Sequence, residues 1–141
     1  MSTQYTCRFL ENNEEPPRKE TISAVFLVAF KDGKVLSTQN ERGWDIPGGH
    51  LEGDEDPFVA LQREVLEEAG TVVESAKPYA VLSSSTSPKV MLFFSSNSIT
   101  LVEFIPSEDV LARDMLNPEE LLSRYYGDKD LLQSLIERGQ K

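Results

Sequence analysis

Three glutamates lie within five consecutive positions, and their spacing suits the binding of a metal ion. They are Glu64, Glu67 and Glu68. On an α-helix, at about 100° per residue, their side chains fall on one flank and spread over roughly 100°. Like charges three or four positions apart repel on a helix, so the cluster costs stability unless a cation neutralises it. Because Mg²⁺ prefers converging oxygen ligands, the cluster indicates a site for a hard divalent cation.

The acidic character extends beyond these three residues. Residues 49–71 contain seven acidic side chains and one arginine, a net charge of −6 out of −10 for the whole chain. The plain alternative is a solvated acidic helix face, which is common in an acidic protein. The residues around the cluster must decide between the two interpretations.

Those neighbouring residues predict a well-defined helix. Asp56 suits the N-cap, Pro57 the first helical position and Gly70 the C-terminal cap. Four apolar residues share one narrow face at helical spacing, namely Phe58, Leu61, Val65 and Ala69. The helix can therefore pack on a core while it directs three carboxylates sideways.

The pattern as a whole resembles the Nudix box, and the chain resembles a MutT-like Nudix hydrolase of roughly one domain. The motif spans 23 of the 141 residues and includes one aliphatic position. The matching residues are Gly49, Glu55, Arg63, Glu64, Val65, Glu67, Glu68 and Gly70. One position departs from the family pattern, since the last residue of the box is usually aliphatic and here is Thr71. Thr71 follows the helix cap, so we expect a small effect on packing.

The resemblance implies a reaction and a cofactor. Nudix hydrolases cleave a phosphoanhydride bond in a nucleoside diphosphate linked to another group, and they require Mg²⁺ or Mn²⁺. Candidate substrates are nucleoside triphosphates, nucleotide sugars and related small nucleotides. The family places metal ligands at the positions of Glu64, Glu67 and Glu68, with the carbonyl of Gly48 as a further ligand. A metal ion suits this reaction because it neutralises charge on the diphosphate and makes water more acidic.

The resemblance also implies catalytic residues. These are Glu64, Glu67, Arg63 and Glu55, and Arg63 is expected to form an ion pair with Glu55 or with Glu52. Glu64 is the preferred general base.

Some family members instead use a glutamate well beyond the box. Glu103 is the best-placed residue of this kind here, followed by Glu108. The spacing does not decide among these three glutamates.

The fold expected from the resemblance is α/β (α+β), an α/β/α sandwich with a mixed sheet and the Nudix loop-helix-loop. We expect a single domain over residues 1–141. An Asp32-Gly33 hairpin turn joins two of the strands. The expected strands are residues 5–10 as an edge, 21–30, 35–36, 44–46, 78–83, 89–94 and 99–105, with a Ser/Thr/Pro-rich loop after residue 83 and helices from 118 to about 126 and from 131 to 138.

Composition limits the partners. A net charge of −10 argues against general nucleic-acid binding, which needs a cationic surface. The single cysteine, Cys7, excludes an internal disulfide and fits a reducing compartment, so the cytoplasm is expected. We expect neither a signal peptide nor a membrane span, because the longest apolar run is residues 24–30. A homodimer through the edge strand at residues 5–10 is considered.

The substrate-binding residues are not predicted. Four loops, residues 11–20, 37–44, 83–89 and 95–100, carry no recognisable signature. A nucleotide-sensing Nudix-like domain without turnover is the alternative, and the complete set of box glutamates disfavours it. A Ca²⁺-binding module is a weaker alternative, because the EF-hand spacing is absent. Secondary candidates are Phe26, Trp44 and Tyr79 for base stacking, Arg42 and Lys89 for phosphate contact, and His50, which is more often structural.

Overall fold

The computed structural model describes residues 3–140 and contains, within that range, a mixed sheet and three α-helices. The helices are α1 (Pro57–Ala69), α2 (Pro118–Arg124) and α3 (Lys129–Gly139). The strands are β1 (Tyr5–Phe9), β2 (Ile22–Lys31), β3 (Lys34–Asn40), β4 (Gly43–Asp45), β5 (Gly48–His50), β6 (Thr71–Ser84), β7 (Ser87–Leu101) and β8 (Ala112–Leu116).

The strands form a sheet in the order β1-β6-β7-β2-β3-β4, with β5 pairing to β2 and β8 to β3. The β2–β7 pair is parallel and the other pairs are antiparallel, so the sheet is mixed as expected. Asp32 and Gly33 both have positive φ, which confirms the tight hairpin turn between β2 and β3.

Two hydrophobic cores cover the two faces of the sheet. The first core contains the buried face of α1, including Leu61 and Val65. The second contains Leu121 of α2 and Leu135 of α3. Helices on both faces of a sheet bury two apolar surfaces at once. The expected α/β/α sandwich is therefore confirmed.

The hairpin of β6 and β7 is longer than the sequence predicts. A polar loop was expected after residue 83, but Ser84 pairs with Ser87 and only two residues form the turn. The strand expected over residues 99–105 is wrong as a separate element, because β7 runs without interruption to Leu101. The polar stretch inside β7 is accommodated because buried Ser96 donates a hydrogen bond to the Ser75 carbonyl at 2.6 Å. Strand β8 was not predicted.

The helices follow the predictions closely. The Asp56 carboxylate accepts hydrogen bonds from the amides of Phe58 and Val59, and Gly70 ends α1 in the left-handed conformation with φ of 53°. Asn117 and Asp128 cap α2 and α3 in the same way. Within residues 3–140, no helix is both long and apolar enough to cross a membrane.

Candidate active site

Helix α1 carries the glutamate cluster, and β5 lies directly beside it. A Cβ atom placed on Gly49 would lie 2.5 Å from Cδ of Glu64. The Glu64 carboxylate therefore rests against the backbone of β5, where only 17% of its side chain is exposed. Gly48 and Gly49 lie in the short strand β5 rather than in a turn, and glycine at position 49 is needed for this close approach.

Arg63 holds several acidic side chains together. Its Nε and Nη2 atoms donate to the two oxygens of Glu55 at 2.9 and 3.0 Å, a bidentate ion pair. Its Nη1 atom donates to Glu64 at 3.0 Å and lies 3.5 Å from oxygens of Glu52 and Glu67. The expected ion pair is therefore present, with Glu55 as the closer partner.

This ion pair changes the acidity of both groups. Hydrogen bonds from Arg63, and then from the Glu52 amide, lower the pKa of Glu55 to about 2. The hydrogen bond to Glu55 in turn raises the pKa of Arg63. Both groups are consequently charged at neutral pH. The pair with Glu55 holds the Arg63 guanidinium in place. Its Nη1 atom then lies near the carboxylates of Glu52, Glu64 and Glu67.

Glu68 experiences the opposite effect. Burial raises the pKa of its carboxyl to about 7, the amide of Gly48 opposes this rise, and the carboxylates of Glu64, Asp45 and Glu67 add to it. Proximity to other carboxylates disfavours the charged form of an acid, and a bound cation reverses that effect. The acids on α1 are therefore crowded enough to repel one another.

The donor set fits a hard divalent cation. Carboxylate oxygens are the ligands that Mg²⁺ accepts, and Glu67 is 61% exposed, so its side chain is free to rotate. Among residues 3–140, no three acidic, histidine or cysteine side chains are already arranged to hold a metal ion. Glu64 nevertheless rests against Gly49 of β5, Glu68 accepts a hydrogen bond from the Gly48 amide, and Glu67 lies 3.5 Å from Arg63 on the same helix.

A polar cavity of about 260 Å³ opens beside Glu68. Phe26 and Gly48 line it from β2 and β5, and its wall also includes three residues that the sequence did not single out. These are Asp45, Asp109 and Tyr126. Asp45 had one local signal, since it alternates with buried Trp44 and Ile46 and must therefore face away from their core. Asp109 and Tyr126 carry no such signal, because only the tertiary structure brings them to this cavity.

The two later glutamates considered as bases do not line this cavity. The Glu103 carbonyl is close to Gly70, 2.5 Å from the position that a Cβ atom there would occupy, and its side chain is exposed. Among the described residues that line the cavity, Asp109 is present and neither Glu103 nor Glu108 is. The place of Glu103 is therefore at the end of α1, beside the C-terminal cap.

The secondary candidates separate into core and surface. Trp44 and Tyr79 are buried in the second core, and the Tyr79 hydroxyl donates to the Leu135 carbonyl at 2.7 Å. Phe26 is the one of the three aromatic candidates that lines the cavity. His50 and Lys89 line another cavity, of about 450 Å³, together with residues of the segment 50–55.

Comparisons of the sequence with known proteins identify its family. A family model for the NUDIX domain matches residues 17–134. A MutT-like protein of Streptomyces ambofaciens is 34% identical over 110 residues, which are 77% of this chain and 71% of that protein.

Solved structures show the same fold. The pyrophosphohydrolase BsRppH of Bacillus subtilis superposes with a TM-score of 0.71 at 22% identity, over 97% of this chain and 89% of that one. An ADP-ribose pyrophosphatase of Streptococcus suis gives a TM-score of 0.59 at 19% identity, over 84% and 91% of the two chains.

Proposed function

The chain belongs to the NUDIX family of hydrolases, and we propose that it cleaves a phosphoanhydride bond in a nucleoside diphosphate linked to another group, with Mg²⁺ or Mn²⁺ as the required ion. The observation that carries this proposal is the arrangement of α1. Glu64 rests against Gly49 of β5, the Gly48 amide donates to Glu68, and Arg63 is held by Glu55.

Glu64, Glu67 and Glu68 would hold the ion, together with the carbonyl of Gly48. When bound, such an ion neutralises negative charge on the diphosphate and makes a water molecule more acidic. The raised pKa of Glu68 supports this assignment. Burial and the neighbouring carboxylates disfavour its charged form in the metal-free site, and a bound cation would favour that form again. Among residues 3–140, the positive charge in contact with these glutamates comes from Arg63, whose Nη1 lies near Glu64 and Glu67.

Glu64 is the proposed general base, which takes a proton from the attacking water at its carboxylate. Arg63 restrains that carboxylate through the 3.0 Å hydrogen bond, and Gly49 allows it to lie against β5. A misplaced base loses most of its effect, so such restraint matters for the rate. Glu103 remains a candidate for this role, and Asp109 joins it because it lines the cavity that contains Glu68.

The cavity beside Glu68 is the proposed site for the non-phosphate part of the substrate. It lies next to the metal-binding flank, it is large enough for a nucleobase, and it offers the Phe26 ring as an apolar surface. Candidate substrates are nucleoside triphosphates, nucleotide sugars and dinucleotides. Two structural neighbours, which are a pyrophosphohydrolase and an ADP-ribose pyrophosphatase, support a substrate that contains a pyrophosphate linkage.

The proposal is tested with a panel of these three substrate classes, assayed with and without Mg²⁺ for released phosphate or monophosphate. We expect turnover that depends on the metal ion. Glu64→Gln and Glu68→Gln should each lower the rate by at least about 100-fold, because each removes a charged ligand with little change of shape. Glu119→Gln is the matched control, since Glu119 is exposed on α2, away from the site.

Two results would contradict the proposal. Near wild-type rates in both glutamine variants would mean that the metal ion lies elsewhere. Binding of nucleotides without turnover of any panel member would favour the sensing function instead.

Two further proposals concern the protein in solution. Cys7 is a free, partly buried thiol, which fits a reducing compartment such as the cytoplasm. β1 is the terminal strand of the sheet order, so a homodimer has an edge through which to pair. Gel filtration tests the homodimer. The Tyr5→Lys variant, which disfavours edge pairing, should elute as a smaller species than the wild-type chain if the dimer forms through β1.

A further inference from the structure

A chain of hydrogen bonds forms one wall of the cavity beside Glu68. The Arg42 amide donates to Oδ1 of Asn40 at 2.8 Å, and Nδ2 of Asn40 donates to the Tyr126 hydroxyl at 2.8 Å. The Tyr126 hydroxyl then donates to Oδ2 of Asp45 at 3.1 Å, while the Ile46 amide donates to Oδ1 of Asp45 at 2.7 Å.

The direction of this chain is determined by its first donor. A backbone amide can only donate, so the atom of Asn40 that faces the Arg42 amide must be the oxygen. The Asn40 nitrogen therefore faces Tyr126 and donates to it. Because a tyrosine hydroxyl has one proton, that proton goes to Asp45. Asp45 consequently presents acceptor atoms only, and both of its oxygens are oriented by donors.

Tyr126 is itself held in place from the other side. Residue Tyr125 pairs with Trp44 in an isolated bridge, and the Arg124 carbonyl lies 2.6 Å from the position of a Cβ on Gly43. The Arg42 guanidinium also lies over the Tyr126 ring, 5.2 Å from its centre. The connector between α2 and α3 is thus fastened to β4, which places the Tyr126 hydroxyl next to Asp45.

The cavity offers Asp45 no positive partner. None of the described residues that line it is basic, and its other charged residues are Glu68 and Asp109. Away from the ion that Glu68 would hold, a phosphate group would be repelled by Asp45 and Asp109, whereas a group with N–H donors would be attracted. The ligand group that fits is therefore neutral or cationic and rich in hydrogen-bond donors.

We propose that Asp45 is a specificity-determining residue that accepts a hydrogen bond from an amino group of the substrate base, and that Tyr126 is the positioning residue that orients it. The inference rests on the proposed function, in which this cavity receives the non-phosphate part of the substrate. It implies that a base with an exocyclic amino group is preferred over the same ring with a keto oxygen. A keto oxygen at that place would face a carboxylate, and two acceptors repel.

The test compares matched pairs of nucleotides in whichever substrate class the panel identifies. The pairs are cytidine with uridine, adenosine with inosine, and guanosine with xanthosine, each of which exchanges an amino group for a keto oxygen. For at least one pair we expect the amino form to have a kcat/KM about tenfold higher or more, since hydrogen bonds to charged groups are among the stronger ones. A ratio of two substrates on one enzyme does not depend on how much of the enzyme is folded.

Three variants assign the effect to residues. Asp45→Asn should bring the ratio close to one, because an amide can donate as well as accept. Tyr126→Phe should lower the ratio several-fold while it keeps the aromatic ring. Tyr125→Phe is the matched control, since it removes a hydroxyl from the neighbouring residue, which does not line the cavity, and it should leave the ratio unchanged.

The outcomes separate this inference from the proposed function. Metal-dependent hydrolysis with no preference for the amino form in any pair would overturn the inference and leave the reaction intact. A preference that survives in Asp45→Asn would remove Asp45 from the assignment, and one that survives in Tyr126→Phe would remove Tyr126. If no nucleotide is hydrolysed, the proposed reaction fails, and the ratio of dissociation constants for the same pairs, measured by calorimetry with Ca²⁺, decides the inference instead.

Discussion

Replacing Gly49 with alanine should displace the Glu64 carboxylate while the protein remains folded. The new Cβ would lie 2.5 Å from Cδ and Oε2 of Glu64, whereas ordinary contacts are at least 3.4 Å. The carboxylate must therefore move by about 1 Å. A misplacement of about 1 Å in a catalytic group can cost about 100-fold in rate, and we expect a loss of that size in kcat/KM.

The same substitution should change stability little. Gly49 does not have a positive φ, so alanine fits its backbone. Alanine then reduces the freedom of the unfolded chain, which stabilises by about 0.4–1 kcal/mol. The shifted Glu64 rotamer costs about 0.5–1.5 kcal/mol in the opposite direction. The net change in the free energy of unfolding should lie within about 1 kcal/mol.

The adjacent glycine provides the matched control. A Cβ on Gly48 would lie 2.2 Å from the Val25 carbonyl and 2.8 Å from Cα of Phe26, and backbone atoms cannot rotate away. Gly48→Ala should therefore force β5 away from β2 and destabilise the protein by at least about 1–3 kcal/mol. We therefore expect Gly49→Ala to lower the activity and Gly48→Ala to lower the stability.

The assay combines three measurements on both variants. Urea unfolding gives stability, with an unchanged slope as the sign that the folded state is preserved. Mn²⁺ affinity, measured by electron paramagnetic resonance, reports the metal site without any turnover, and kcat/KM reports the reaction. Wild-type Mn²⁺ affinity and activity in Gly49→Ala would show that the position of Glu64 against β5 is not what the ion requires. If Gly49→Ala lost as much stability as Gly48→Ala, the Glu64 side chain would not be moving aside to make room for the new Cβ atom, and the reasoning would be refuted.

Three other predictions follow from buried or constrained polar groups. Tyr79→Phe leaves the buried Leu135 carbonyl without its donor and should lower the free energy of unfolding by about 1–2 kcal/mol, measured by urea, with kcat unchanged. Arg113 donates hydrogen bonds to the carbonyls of Ala69, Gly70 and Val102 at the end of α1. Arg113→Met removes this donor and should weaken both Mn²⁺ binding and stability. Arg113→Lys keeps the positive charge at the end of the helix and should restore part of both. In the metal-free protein, the pKa of about 7 for Glu68 is above the ordinary value of 4.5, so its contribution to stability is present below pH 4.5 and is lost as the pH rises through 7. Glu68→Gln should therefore stabilise the metal-free protein at pH 8, by up to about 3 kcal/mol in thermal unfolding with chelator, and an unchanged midpoint would mean that Glu68 is not under this strain.

The box helix is the part that local sequence predicts well. Asp56, Pro57 and Gly70 act within one helical turn of the residues that they cap, and the apolar stripe needs only the helical period. The three glutamates then fall on one flank by geometry alone. For this reason the family, the fold and the candidate ligands all follow from the motif.

The long hairpin of β6 and β7 shows where local reasoning fails. Serine, threonine and proline favour turns on average, and the polar residues near Ser84 and Ser96 pointed to loops. In the structure, pairing along two long strands outweighs that preference, and Ser96 finds its partner in the Ser75 carbonyl of the other strand. A preference of one residue type is weak beside a ladder of backbone hydrogen bonds.

By itself, the sequence determined the box helix, its caps and the acidic flank, because each depends on neighbours a few positions away. Only the tertiary structure decided what stands opposite that flank. Asp45, Asp109 and Tyr126 are far apart in sequence, yet they line one cavity with Glu68. The raised pKa of Glu68 likewise depends on burial beneath other elements, which no local pattern contains. Chemistry that is carried by one helix can be predicted from its spacing, whereas the choice of substrate depends on surfaces that meet only after folding.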